Sequence, residues 1–128
     1  MYLLDTHAML WFLNDDPKLP ARTKELIGTT PEVYVSIASF WEIAIKNSIG
    51  KLELHDSISR IMELCEEKQI AILPIKAIHL ECLKPLPPIH KDPFDRLLVC
   101  QARAEGMTLI TLDENIVQYD VATLWRTE

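Results

Sequence analysis

Four carboxylates stand out in this sequence by where they fall. Asp5 closes the apolar run Tyr2-Leu3-Leu4, Glu42 follows Ser39-Phe40-Trp41, Asp95 lies just beyond Asp92-Pro93-Phe94, and Asp113 ends Thr108-Leu109-Ile110-Thr111-Leu112. Acids make up 19 of the 128 residues, yet these four each mark a junction between a strand-like stretch and a helical one. Gathered on one edge they would repel one another strongly without cations between them. An all-oxygen donor set of this kind favours Mg2+ or Mn2+ over zinc or copper. Such a cluster needs no nucleophilic side chain, which suits a sequence without a plausible Ser-His-Asp or Cys-His arrangement.

Each acid also has a plainer reading. Ser39-Phe40-Trp41-Glu42 has the layout of a capping box, with Glu42 at the third helical position reaching back to Ser39. Asp92-Pro93-Phe94-Asp95 has the same layout, with Asp92 as N-cap and Pro93 at the first position. Asp113 suits the cap of a short turn over Glu114 to Gln118, and Asp5 suits the cap of the first helix. Acids are favoured at helix N-termini in any protein, but Ser, Thr or Asn would cap as well. An acid at all four junctions is the unusual feature.

The elements that must position these residues follow from the apolar pattern. Tyr2-Leu3-Leu4, Val33-Tyr34-Val35-Ser36, Ile70-Ala71-Ile72-Leu73 and Thr108 to Leu112 read as strands, the second rich in β-branched and aromatic residues. Val121 to Leu124 adds a candidate edge strand. Helices are expected over Ala8 to Leu13, Pro20 to Ile27 (with Gly28 just beyond), Ser39 to Ile49 (ended by Gly50), Ser57 to Lys68, Lys76 to Leu83 and Pro93 to Glu105 (ended by Gly106). The fourth of these carries Ile58, Ile61, Met62 and Cys65 at the spacing of an amphipathic helix. Pro85 to Pro88 holds three prolines in four residues and must be a loop. Strands alternating with helices predict an α/β three-layer sandwich with a mainly parallel sheet of four to five strands. No linker divides the chain, so residues 1–128 are expected to form one domain. In such a sheet ligands bind beyond the carboxyl ends of the strands, where Asp5, Glu42 and Asp113 are expected to sit. The place of Asp95 depends on how the Pro-rich loop returns.

Composition narrows the classes. Hydrophobic residues at 48% and charged residues at 25% are ordinary for a soluble globular chain. No apolar run approaches the roughly 20 residues that span a bilayer, and Asp5 interrupts the N-terminus too early for a signal peptide. Cys65, Cys82 and Cys100 are odd in number and lack CxxC spacing, so they read as reduced thiols in a cytoplasmic protein without membrane association. The formal charge of −6 argues against coating nucleic acid through a basic face. It leaves a nuclease open, because two bound divalent ions would offset four of those negative charges.

Beyond these patterns, the sequence resembles the PIN domains, and within them the VapC-type toxins of type II toxin–antitoxin systems. Leu3-Leu4-Asp5-Thr6-His7-Ala8 resembles the family's opening strand and first acid. Ser39-Phe40-Trp41-Glu42-Ile43-Ala44-Ile45-Lys46, with Gly50-Lys51-Leu52, resembles the segment bearing the second. His90-Lys91-Asp92-Pro93-Phe94-Asp95-Arg96-Leu97-Leu98, continuing to Gln101-Ala102, resembles the third-acid helix of one subgroup, and Leu109-Ile110-Thr111-Leu112-Asp113 the last strand and fourth acid. The resemblance runs nearly end to end. It implies a PIN fold, Mg2+- or Mn2+-dependent endoribonuclease activity, neutralisation by a VapB-like antitoxin, and homodimerisation. Asp5, Glu42, Asp95 and Asp113 are then the catalytic and metal-binding set, with Asp5 and Asp95 holding the principal ion and Asp92 left as N-cap or outer ligand.

Several neighbours carry two readings. Thr6 and Thr111 flank two of the acids and suit a role in orienting carboxylates or water. Lys46, one helical turn beyond Glu42, either meets a phosphate or pairs with Glu42. Arg96 and Lys91 are phosphate candidates or solvated charges. His7 and His90 read first as structural hydrogen-bonders. Phe40 and Trp41 cannot both face inward on one helix stripe, so one of them is expected to meet a partner chain. Three rival functions remain. A receiver-like or phosphatase domain needs paired acids after the first strand, and Asp5-Thr6-His7 offers one. A catalytically silent PIN-like module for RNA or protein binding fits poorly with all four acids present. A DNA-directed nuclease would use the same residues.

Overall fold

The computed structural model describes residues 1–127. Its elements run β1 (Tyr2–Leu4), α1 (Thr6–Leu13), α2 (Ala21–Thr29), β2 (Val33–Ser36), α3 (Ile37–Ser48), α4 (Ile58–Glu67), β3 (Ile70–Leu73), α5 (Ala77–Leu83), α6 (Pro93–Glu105), β4 (Thr108–Ile110), a 3-10 turn (Ile116–Gln118) and β5 (Thr123–Leu124). All strand pairs are parallel, in the order β3-β2-β1-β4-β5. This is the α/β sandwich expected from the alternation of elements, and Thr123–Leu124 supplies the edge strand.

The sheet is buried on both faces because neighbouring residues of each strand point to opposite sides. Leu4, Val33, Val35, Ile70 and Ile110 face one core, packed by Ala8 and Met9 of α1, Ile27 of α2, Phe40 and Ile43 of α3, and Ile61 and Cys65 of α4. Leu3, Leu73 and Leu109 face the other, packed by Leu98, Val99 and Ala102 of α6 and by Ile116 and Tyr119. The helices thus form the two outer layers. The three cysteines are free, with Cys65 and Cys100 buried. Among the described residues no helix is long and apolar enough to cross a membrane.

Some boundaries differ from the sequence reading, for local reasons. Helix α1 begins at Thr6 because the Asp5 carboxylate accepts the Ala8 amide and caps it. Helix α2 runs through Gly28 to Thr29, since nothing at Gly28 requires a left-handed residue. The N-cap of helix α3 lies three residues earlier than expected, at Ser36, which accepts from the Ala38 amide. Glu42 is therefore in the second turn, and the Ser39–Glu42 capping box does not form. Strand β4 ends at Ile110, so Thr111 and Leu112 separate it from Asp113.

The strand order reverses direction between β1 and β4. The chain steps outward one way through β2 and β3, then crosses the opposite face by α5 and α6 to return beside β1. That switch point opens a crevice at the carboxyl edge, flanked by Asp5 after β1 and the Thr111–Asp113 segment after β4. Helix α6 must run antiparallel to β4 to feed it, which puts its N-terminus, with Asp92 and Asp95, on the same edge. It stops at Gly106, whose φ of 68° lies in the left-handed region. Gly106→Ala is expected to cost about 1 kcal/mol, since a Cβ there meets open space and the backbone alone opposes it. A lower urea midpoint with unchanged slope would bear this out; an unchanged midpoint would contradict it.

Candidate active site

At that edge a cavity of about 360 Å³ is lined by Asp5, Glu42, Asp92, Asp95 and Asp113, together with Thr6, His7, Trp11, Lys46, His90, Leu112 and Trp125. The four acids singled out in the sequence come from four different elements and meet here. Among the lining residues described, five carboxylates face one ammonium, that of Lys46.

Each carboxylate is held by its own local structure. Asp5 is buried, and its Oδ1 accepts the Ala8 amide at 2.8 Å. Glu42, 3% exposed, accepts the Thr6 hydroxyl at 2.6 Å on Oε1 and the Lys46 ammonium on Oε2. Lys46 therefore makes the i,i+4 pair, and Thr6 orients a carboxylate as expected. Asp92 Oδ1 accepts the amides of Phe94 and Asp95 at 2.8 and 3.2 Å as the N-cap of α6. Asp113 Oδ1 accepts the amides of Asn115 and Ile116. The capping readings of Asp5, Asp92 and Asp113 hold, and these same residues line the cavity.

The acids titrate differently. Asp95 is pushed up to about 7, first by burial and then by the charges of Asp92 and Glu42, with His90 opposing. Burial likewise raises Asp5, against the hydrogen bonds from Thr111 and the Ala8 amide. For Asp113 burial also pushes upward, but hydrogen bonds from His90 and the two amides outweigh it and leave the carboxyl below its usual value. A cluster of five carboxylates with one facing ammonium is the kind of arrangement that divalent-ion sites present. The oxygen donors of this cluster fit a hard cation such as Mg2+ or Mn2+.

The structure assigns contacts to His90, read in the sequence first as a structural hydrogen-bonder, and to Arg96, read as a phosphate candidate or solvated charge. His90 joins the cavity, with Nε2 3.0 Å from Asp113 Oδ2 and 3.1 Å from Asp95 Oδ2. The chain signal for it was its place two residues before an N-cap, where a side chain folds back over a helix start. Arg96 does not face the cavity as a phosphate contact. Its guanidinium donates to the carbonyls of Pro87 at 3.0 Å and Leu86 at 3.2 Å, and to the Tyr119 hydroxyl. It ties down the Pro-rich loop instead. His7 stacks on Trp11 at the rim, with ring centroids 5.5 Å apart.

Comparisons with known proteins place this geometry in context. The PIN domain family matches residues 2–122. No curated protein matches the chain by sequence. Solved structures share its fold: VapBC2 from Rickettsia felis bound to a promoter DNA fragment (16% identity, 98% of each chain, TM-score 0.69), and VapBC-1 from nontypeable Haemophilus influenzae (20%, 96% of each, 0.67). A third is FitAcB from Neisseria gonorrhoeae (19%, 97% of this chain and 96% of that one, 0.64).

The electrostatics lead to a test of sign. Because the folded value of Asp95 lies above 3.8, the carboxyl costs nothing below about pH 4, and its cost grows as pH rises to about 7 and stays beyond it. In EDTA, Asp95→Asn is expected to melt higher than the parent at pH 8, with the gap closing towards pH 4 to 5. A variant that melts lower at pH 8 would show that Asp95 is not destabilised there.

Proposed function

The chain belongs to the PIN domain family, and from that premise we propose that residues 1–128 form one PIN domain acting as a metal-dependent endoribonuclease, the toxin of a toxin–antitoxin pair. The observation that carries this reading is the meeting of Asp5, Glu42, Asp95 and Asp113 in one cavity at the carboxyl edge of the sheet. A PIN nuclease is a hydrolase; RNA as substrate and Mg2+ or Mn2+ as cofactor are the finer assignments proposed here.

Asp5 and Asp95 are assigned to hold the principal ion, with Glu42 and Asp113 completing one or two sites. When bound, the ion supplies a water of lowered pKa and charge to offset the developing phosphorane. The chain's part is to fix and charge the carboxylates. The Thr6 hydroxyl and the Ala8, Asn115 and Ile116 amides set the orientation of Glu42, Asp5 and Asp113. Lys46 neutralises one charge of the cluster while leaving Glu42 in place. The N-termini of α1 and α6 open onto the same edge and favour an incoming phosphate.

Partners follow from the same premise. A VapB-like antitoxin would cover the site in the cytoplasm, in keeping with neighbours that are VapBC complexes. For the homodimer we assign the outer face of α3. There Phe40 turns inward while Trp41 is 58% exposed, its ring 5.1 Å from that of Phe94, and Ile45 and Ile49 extend the stripe at four-residue spacing.

Two experiments test these readings. Labelled RNAs and single-stranded DNAs are incubated with protein in Mn2+, Mg2+ or EDTA, beside folded Asp5→Asn and Asp95→Asn. RNA cleavage that needs metal and falls in both variants to the EDTA level is the expected result. Cleavage of DNA alone would favour the DNA-directed reading, and no cleavage of any substrate would favour a silent binding module. Sedimentation of Trp41→Glu is expected to show a monomer where the parent is a dimer; an unchanged mass would remove the α3 face from the interface.

A further inference from the structure

His90 faces the acid cluster, and the atoms His90 Nε2, Asp95 O and Asp113 O lie within 4.8 Å of one another, close enough to read as a three-ligand metal site. The other side of the ring argues against that. Nδ1 accepts a hydrogen bond from the Asp92 amide at 3.1 Å. A backbone N–H can only donate, so Nδ1 carries the lone pair and the ring proton sits on Nε2. A histidine that ligates through one nitrogen keeps a proton on the other and donates it outward. Here the other nitrogen meets a donor, so ligation through Nε2 would set two N–H groups against each other.

We propose that His90 is a positioning residue, whose Nε2–H donates to Asp113 Oδ2 beside Asp95 Oδ2 and holds these two carboxylates together for a cation that other groups ligate. The backbone around it is built to keep that orientation. The His90 amide donates to the Tyr119 hydroxyl at 2.8 Å, and the same hydroxyl accepts from Arg96 at 3.2 Å. Arg96 also clamps the carbonyls of Leu86 and Pro87, and the prolines leave the loop few other conformations. His90 is thereby fixed from three sides: ring, backbone and loop. Asp113 gains a defined side-chain orientation, and the two like charges gain the positive edge of an imidazole between them.

The inference rests on the metal-site reading above, but its first test does not need activity. Long-range 1H–15N NMR of the metal-free protein is expected to show His90 with Nε2 protonated and Nδ1 bare; a protonated Nδ1 with bare Nε2 overturns the proposal. Pulsed EPR of the Mn2+-loaded protein is expected to show no 14N coupling that His90→Ala removes. Coupling that this substitution abolishes would make His90 a ligand and overturn the proposal. By calorimetry, His90→Ala is expected to weaken Mn2+ binding by about 10- to 100-fold, with His90→Gln, which keeps a side-chain N–H, recovering most of it. Unchanged affinity in the alanine variant would also overturn it. Tyr119→Phe leaves the imidazole intact and is expected to weaken Mn2+ binding by a smaller factor; unchanged affinity there would show that the Tyr119 anchor does not position His90. If Mn2+ binds and His90 behaves as described but no substrate is cleaved, the nuclease reading fails and this one stands.

Discussion

Five carboxylates crowded into one cavity repel one another, and the rest of this edge of the molecule is arranged around that repulsion. Three of them, Asp5, Asp92 and Asp113, accept backbone amides at the start of α1, of α6 and of the 3-10 turn. Glu42 is met by Lys46 and Thr6, and Asp113 by His90. Asp95 lies near Asp92 and Glu42, and burial first, with their charges second, raises its titration against His90. Apart from Lys46, neutral partners and half-charges orient the acids without cancelling them, which leaves the cluster negative.

Capping and chemistry are therefore one arrangement here. A helix N-terminus supplies amides that fix a carboxylate in one rotamer and a dipole that keeps it ionised. A parallel sheet brings several such starts to a single edge. Using caps as cavity-facing groups gives Asp5, Asp92 and Asp113 their orientation from local backbone, so that for these only the convergence of the elements has to come from the fold. Glu42 and Asp95 are the exceptions: Glu42 lies a full turn inside α3 and is oriented by Thr6 of α1 and Lys46, and the Asp95 carboxylate meets His90.

The Pro-rich segment between α5 and α6 is the part that joins these pieces. Its prolines stiffen it, Arg96 and Tyr119 anchor it from α6 and from the segment after the 3-10 turn, and His90 at its end reaches Asp113 across the crevice. Asp95 on α6 and Asp113 after β4 both meet His90, so their spacing depends on this loop as well as on the elements that carry them.

Much of this was legible in the sequence. The strands of the sheet, the span of α6 from Pro93 to Glu105, and the junction positions of Asp5, Asp95 and Asp113 follow from apolar runs, caps and glycine, which are local physics. Local signals also misled where two caps compete: Ser36 and Ser39 both suit an N-cap, and only the end of β2 selects Ser36, moving Glu42 off the helix start. The order β3-β2-β1-β4-β5, the crevice it opens, and the turning of Arg96 away from the acids and of His90 onto them were decided by tertiary structure. Residue type and spacing along the chain determine which groups exist and how each element begins and ends. Which groups then touch depends on contacts between segments far apart in sequence, whose cost in loop closure and gain in packing are settled only when the whole sheet is assembled.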